Sequence, residues 1–161
     1  MTTSVPADFP PAPLLLPMCR IVCEVDDLVT LGQATFGERR FVPLGGGTVS
    51  GPEFSGTVVP GGVDWQVRRQ DGTLDIQAHY VLKHDDGSLV EIQSSGLRHG
   101  PAAVMERLAR GEVVGRDEYF FRTLVRFTTG AAAWRHLNDT MAIAVGSREA
   151  RRVLLDVYRL T

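Results

Sequence analysis

The sequence predicts an all-β fold: a mostly antiparallel β-barrel, lipocalin-like in size, with one short helix. Three observations carry this. Segments with strand character recur over 48–59, 63–70, 73–84, 88–97, 119–128, 134–146 and 150–160. Asp71-Gly72 and Asp85-Asp86-Gly87 punctuate them as turns. Only PAAVMERLARGE carries helix punctuation, with Pro101 at its start, Gly111 at its end and a small stripe of Ala103, Val104 and Leu108. Many short strands at regular spacing with one helix argue for a barrel or sandwich.

The elements follow in order. Residues 1–13, MTTSVPADFPPAP, are rich in Pro, Ser and Thr and read as a disordered tail. Residues 14–26 alternate enough for a first strand. TLGQATFGERRFVPLGGGTVSGP then reads as a long connection. Its run Gly45-Gly46-Gly47 lacks the Lys-Ser/Thr and the helix that a phosphate loop needs, so it reads as a turn or bulge leading into 48–59. No linker or repeat divides the chain, and residues 14–161 read as one barrel domain.

Composition removes several functions. The formal net charge is −2 and the pI about 6.1, so no basic field exists for a nucleic-acid backbone. The apolar run PLLLPM is too short to span a bilayer, and no basic segment precedes it, so neither a membrane span nor a signal peptide is expected. Cys19 and Cys23 share a strand face roughly 13 Å apart, too far for a mutual disulfide. They read as small buried thiols of a cytoplasmic protein. His79, His84, His99 and His136 show no metal-ligand spacing. Neither GxSxG nor GxGxxG is present. No metal and no cofactor is expected.

The central hairpins place the candidate chemistry. With Asp71-Gly72 as a two-residue type I′ turn, Val63, Trp65 and Val67 face Tyr80, Ala78 and Ile76, and Asp64 opposes His79 on the polar side. With Asp85-Asp86-Gly87 as a three-residue loop, Tyr80 faces Ile92 and His79 faces Gln93. Asp64, His79 and Gln93 then form a polar row across three strands. Two readings are open: the wet outer face of a sheet, or the polar floor of a lumen pocket in which a carboxylate orients a histidine for proton transfer.

SGTVVPGGVDW, the DG and DDG turns, SSGLRHGP, DEYFFRT and WRHLNDTMAIAVG, in this order, resemble the domain of unknown function 3237 family. The resemblance runs from about residue 14 onward. It implies a small antiparallel β-barrel, a homo-oligomer, of unassigned biochemistry. Asp64, Trp65, Tyr80, Gly96, Tyr119, Phe120, Arg122, Leu137 and Asn138 match the family pattern. His79 stands where the pattern usually has Arg, so ligand preference is expected to differ here.

Other residues have two readings each. Arg122 and Arg126 share a face with Phe120 and Leu124, either as surface arginines over apolar groups or as lumen groups for a carboxylate or enolate oxygen. Asn138 either holds a turn or bonds a ligand carbonyl. Three functions follow. The first is binding of a small organic molecule in the lumen or mouth, with Trp65, Tyr80, Gln93, Arg122 and Asn138 as contacts. The second is a cofactor-independent isomerase, lyase or cyclase with Asp64 and His79 transferring protons and Arg122 or Tyr80 stabilising an oxyanion. The third is a structural oligomer without a cavity.

Overall fold

The computed structural model describes residues 6–161. The expected tail falls partly on residues 1–5, outside the described residues; residues 6–13 carry neither helix nor strand and are exposed. The elements are β1 (Leu15–Val25), β2 (Val29–Ala34), β3 (Gly37–Ser50), β4 (Gly56–Arg68), β5 (Leu74–His84), β6 (Leu89–His99), α1 (Ala102–Ala109), β7 (Phe120–Thr128), a 3-10 helix (Ala132–Asp139), β8 (Met141–Arg148) and β9 (Arg152–Leu160). Strands β3 to β9 pair in sequence order, and β1 closes the ring by pairing with both β9 and β3. The result is an eight-stranded antiparallel barrel with β2 as an extra strand.

Strand β3 is long because it serves two neighbours on one side. Its first half pairs with β2, and its second half with β1. The sequence reading of 30–52 as a long connection is therefore corrected: the segment is the β2–β3 hairpin. The glycines that suggested a loop sit inside β3. Gly46 has φ of 128°, where the register against β4 shifts, and a Cβ on Gly47 would lie 1.9 Å from the Val22 carbonyl oxygen. Glycine here lets two strands approach while one bends.

The expected strand over 134–146 is also shortened. Asn138 folds its first half into the 3-10 helix. Its Oδ1 accepts from the Thr129 N–H at 2.9 Å, and its Nδ2 donates to the carbonyls of Thr129 and Arg135 at 3.0 Å each. Leu137 is thereby buried at that end of the barrel. The loop before β4 completes the plug: the Phe54 ring packs 5.0 Å from Trp134 and 4.9 Å from His84. The Trp134 indole donates to Asp86 at 3.0 Å.

The two Asp-Gly hairpins turn out to be the same structure. In each, three residues form the loop and its glycine takes positive φ, 85° at Gly72 and 89° at Gly87. The strand-end pairs bond as Arg69 N–H to Thr73 O and His84 N–H to Ser88 O. The aspartate before each glycine accepts from the backbone two residues on, Asp71 from Thr73 and Asp86 from Ser88. A type I′ turn needs positive φ at two successive residues, and Asp71 does not adopt it. The β5–β6 register matches the sequence reading, with Tyr80 opposite Ile92 and His79 opposite Gln93. The β4–β5 register does not: Asp64 opposes Ala78, and His79 opposes Val63.

That one-residue slip turns β4 over relative to the expectation. Asp64 and Gln66 point inward beside Ile76, Ala78 and Tyr80, and Trp65 points outward. Outside, Trp65 lies 5.0 Å from the Phe41 ring with Arg39 stacked at 4.8 Å. Ile21, Leu82, Val90, Ile92, Val125 and Val157 are fully buried and form the apolar part of the interior. α1 follows β6 and contributes Leu108 to the core. Replacing Asn138 with alanine strands three backbone groups and is expected to cost about 2 kcal/mol, read by urea unfolding. An unchanged midpoint would mean that the 3-10 helix is held by Leu137 alone.

Candidate functional site

The barrel is plugged at one end by aromatics. At the other end, where β4, β6 and β8 finish, the interior is neither filled nor apolar. A cavity of about 40 Å³ lies there, lined by Asp64, Gln66, Tyr80, Ser94, Arg98 and Arg148 among apolar walls from Val25, Val42, Leu44, Phe121, Val153 and Leu155. A volume of that size accommodates roughly two or three waters, or the leading part of a compact ligand.

Simple alternation places these groups. On β6, Val90, Ile92 and Ser94 face inward, and Arg98 continues the same parity to the rim. On β7, Phe121, Thr123, Val125 and Phe127 face inward. Ser94 and Thr123 bond to each other across the strands at 2.8 Å. Arg40 on β3 pairs with Gln66 on β4. Its Nε donates to Gln66 Oε1 at 3.0 Å, and Gln66 Nε2 donates to Asp64 Oδ2 at 2.7 Å. The Tyr119 hydroxyl accepts the backbone N–H of Arg148 at 2.9 Å and anchors the end of β8.

Three polar atoms are left over. Asp64 Oδ1, the Tyr80 hydroxyl and Arg98 Nε are inaccessible and have no hydrogen-bond partner. All three residues line the one cavity. Native interiors satisfy nearly all such atoms, so the cluster marks a place where water or a ligand completes the hydrogen bonding.

Their electrostatics follow from burial. The Asp64 carboxyl is raised above the ordinary carboxylate range because desolvation outweighs the Gln66 hydrogen bond and the charges of Arg98, Arg148 and Arg40. Arg98 is pushed down to about 10, first by burial and then by the like charge of Arg148. Arg148 and Arg40 are lowered too, mainly by burial. The Tyr80 hydroxyl is raised by burial, and the Cys23 thiol is pushed up to about 12 by burial and Asp64. One buried carboxyl beside three arginines makes a pocket in which positive groups outnumber the acid. Among the described residues no cluster of His, Cys, Asp and Glu forms a metal site.

The sequence-predicted residues divide between the two faces. Asp64 and Tyr80 reach the cavity. His79 is on the outer face, its side chain 57% exposed and 3.4 Å from Glu91. Gln93 sits beside it outside. The supposed Asp64–His79 pair is therefore split across the sheet, because the first hairpin loop has three residues rather than two. Trp65 and Arg122 are also outside; the Arg122 guanidinium lies 5.3 Å from the Phe120 ring and donates to the Phe121 carbonyl. Asn138 serves the plug at the far end. Arg40, Gln66, Arg98 and Arg148 were not among the sequence candidates. For Arg98 the signal was present: the alternation that puts Val90 and Ile92 inward also puts Arg98 inward.

Comparison with known proteins agrees with this architecture. The family described as "Protein of unknown function (DUF3237)" matches residues 13–160. The chain belongs to that family. A curated UPF0311 protein of Bradyrhizobium diazoefficiens is 36% identical over 140 residues, which is 87% of this chain and 91% of that one. The crystal structure of a conserved protein of unknown function from Rhodopseudomonas palustris superposes with a TM-score of 0.89 at 32% identity, covering 95% of this chain and all of that one. A shorter likeness is to the hydroalkoxylation enzyme of Penicillium herquei, 40% identical over 52 residues, 32% of this chain and 34% of that one. Among the described residues no helix is long and apolar enough to cross a membrane.

The raised Asp64 carboxyl gives a signed expectation. A carboxyl whose folded value exceeds its unfolded one contributes stability that is complete below the ordinary 3.8 and is lost as pH rises through the folded value. Asp64→Asn removes that loss and can keep the Gln66 contact through its amide oxygen. Melting curves of both proteins are expected to diverge in favour of the variant as pH climbs from about 4 to 7. Parallel curves would place the charge in an environment as wet as the unfolded chain.

Proposed function

We propose that the barrel binds a small organic molecule in its lumen, at the arginine-lined end. The carrying observation is the convergence of three partnerless polar atoms, on Asp64, Tyr80 and Arg98, on one cavity with apolar walls. Such a site is built for a molecule with a hydrocarbon body and oxygen functions. The reading of a structural oligomer with a filled interior has less support, because a small polar cavity remains at this end. Trp65 and Trp134 both stand away from the lumen, so their fluorescence is a poor reporter of occupancy. Amide resonances of Ala78 and Ser94, whose strands line the cavity, report it directly. A screen of oxygenated one-ring aromatics is expected to shift those resonances; shifts confined to the Trp65 face would place binding outside the barrel.

A specific observation also favours turnover. Burial raises the Asp64 carboxyl above the ordinary carboxylate range, the direction that suits a general acid. The likeness to a hydroalkoxylation enzyme suggests a fitting reaction class. Hydroalkoxylation adds an alcohol O–H across C=C: the oxygen bonds one carbon, the other carbon takes a proton, and no redox change occurs. Asp64 would deliver the proton to carbon and recover the hydroxyl's proton, so the carboxyl ends as it began. The donors on Tyr80 and Arg98 would steady the reacting oxygen. In this reading Asp64 acts without His79. Cyclisation of 2-allylphenol, followed by chromatography, tests it: Asp64→Asn is expected to lower the rate by a factor of about 100 or more. Cyclisation independent of Asp64 would leave the binding reading alone.

Two further expectations belong to the same proposal. The free thiols of Cys19 and Cys23 suit a cytoplasmic setting. Exposed Leu28, Val29, Leu31 and Phe36, on and around β2, favour association of the chain with itself.

A further inference from the structure

We infer that the ligand of this lumen is an organic carboxylate, held head-first by Arg98 and Arg148 at the rim, with its body directed inward toward Asp64 and Tyr80. The inference rests on the lumen-binding reading above and specifies the chemistry of its ligand.

The argument is one of charge and direction. Arg98 is 9% exposed, and its Nε has no partner. Among the described residues no carboxylate lies within ion-pair distance of its guanidinium. The ion pairs that the barrel does form engage other arginines: Arg20 and Arg116 with Asp156, Arg159 with Glu53, and Arg40 at 3.9 Å from Glu38. A buried guanidinium left without an acid is costly to keep, and a planar fork of N–H donors matches a carboxylate with two parallel bonds. Arg148 supplies a second positive charge from the last residue of β8, and its backbone is fixed there by Tyr119. Asp64, the one acid lining the cavity, is engaged by the Gln66 amide and makes no ion pair with Arg98, so it does not supply the missing counter-charge.

Direction follows from the strands. Arg98 is the penultimate residue of β6 and Arg148 the last of β8, so both stand at the rim. Asp64 lies four residues inside the end of β4, and Tyr80 is deeper still on β5. The Phe121 ring supports the Arg98 guanidinium at 5.6 Å. Gly146 makes room for that ring, since a Cβ there would come within 2.3 Å of it. Val42, Leu44, Val153 and Leu155 line the way inward and offer apolar surface to the ligand body. A carboxylate at the rim therefore brings the far part of the molecule to the acid.

Benzoate and benzamide, nearly equal in shape, one anionic and one neutral, make the test. Both are titrated calorimetrically into the wild-type chain and into Arg98→Met and Arg148→Gln, with the Ala78 and Ser94 amides followed by NMR. Melting curves of each variant confirm that it is folded. The expected result is benzoate binding at least about tenfold tighter than benzamide in the wild type, with Ala78 and Ser94 shifting. Each variant should shrink that preference, Arg98→Met most. Equal binding of both probes in the lumen, unaltered by the variants, overturns the carboxylate and leaves the lumen reading intact. No shift of Ala78 or Ser94 with either probe overturns both.

Discussion

A guanidinium enclosed by protein, with no carboxylate against it, is the constraint around which this end of the barrel is arranged. Arg98 is only 9% exposed with its Nε shut off from water, and the ring of Phe121 gives it a face to rest on. Arg148 and Arg40 add charge of the same sign nearby. Everything else in the site answers that field. Gln66 uses both ends of its amide to couple Arg40 to Asp64 and is itself buried. Asp64 experiences three attractive charges and is still driven toward neutrality, so desolvation is the larger effect at this position.

The two ends of the barrel have different physical characters because they are made from different residues at equivalent places. At the plugged end, Phe54, Trp134 and Leu137 fill the opening, and their polar edges are satisfied by Asp86 and the Asn138 bonds. At the arginine end the strands terminate in charged side chains that are not mutually satisfied. A stable scaffold and a demanding site are thus separated along the barrel axis. Asn138 and Asp64 serve opposite ends: one closes the plug, the other faces the cavity.

Much of the architecture could be read from alternation and turn chemistry. The all-β barrel class follows from the recurring strands and turns, α1 from Pro101 and Gly111, and the β5–β6 register from Val90, Ile92, Tyr80 and Leu82 sharing an apolar parity. The β4–β5 register was misread because Val63, Trp65 and Val67 form as clean an apolar face as their neighbours. Hydrophobic pattern alone favoured turning them inward. What decided otherwise was backbone conformation at Asp71, which takes no positive φ, and the cover that Phe41 and Arg39 give Trp65 outside. The polar lumen was partly legible in Asp64 and Tyr80. Arg98 falls one residue past the strand read over 88–97, although its parity with Val90 and Ile92 pointed inward. Arg40 was hidden inside a segment read as loop, and only barrel closure reveals that it faces Gln66.

The closure itself sets the order in which the molecule can form. Strand β1 pairs with β9, Arg20 opposite Asp156, across 136 positions of chain. The hairpins from β3 to β6 join near neighbours and can assemble early. The ring cannot shut until β9 has left the ribosome. Until then Ile21 and Cys23 lack their β9 partners, and the cavity lacks the wall that Val153 and Leu155 provide. Pairing of such high sequence separation places the chain among slow folders, in the millisecond-to-second range or beyond. The arginine site is thus a late product of folding, with no existence in any fragment that stops short of the last strand.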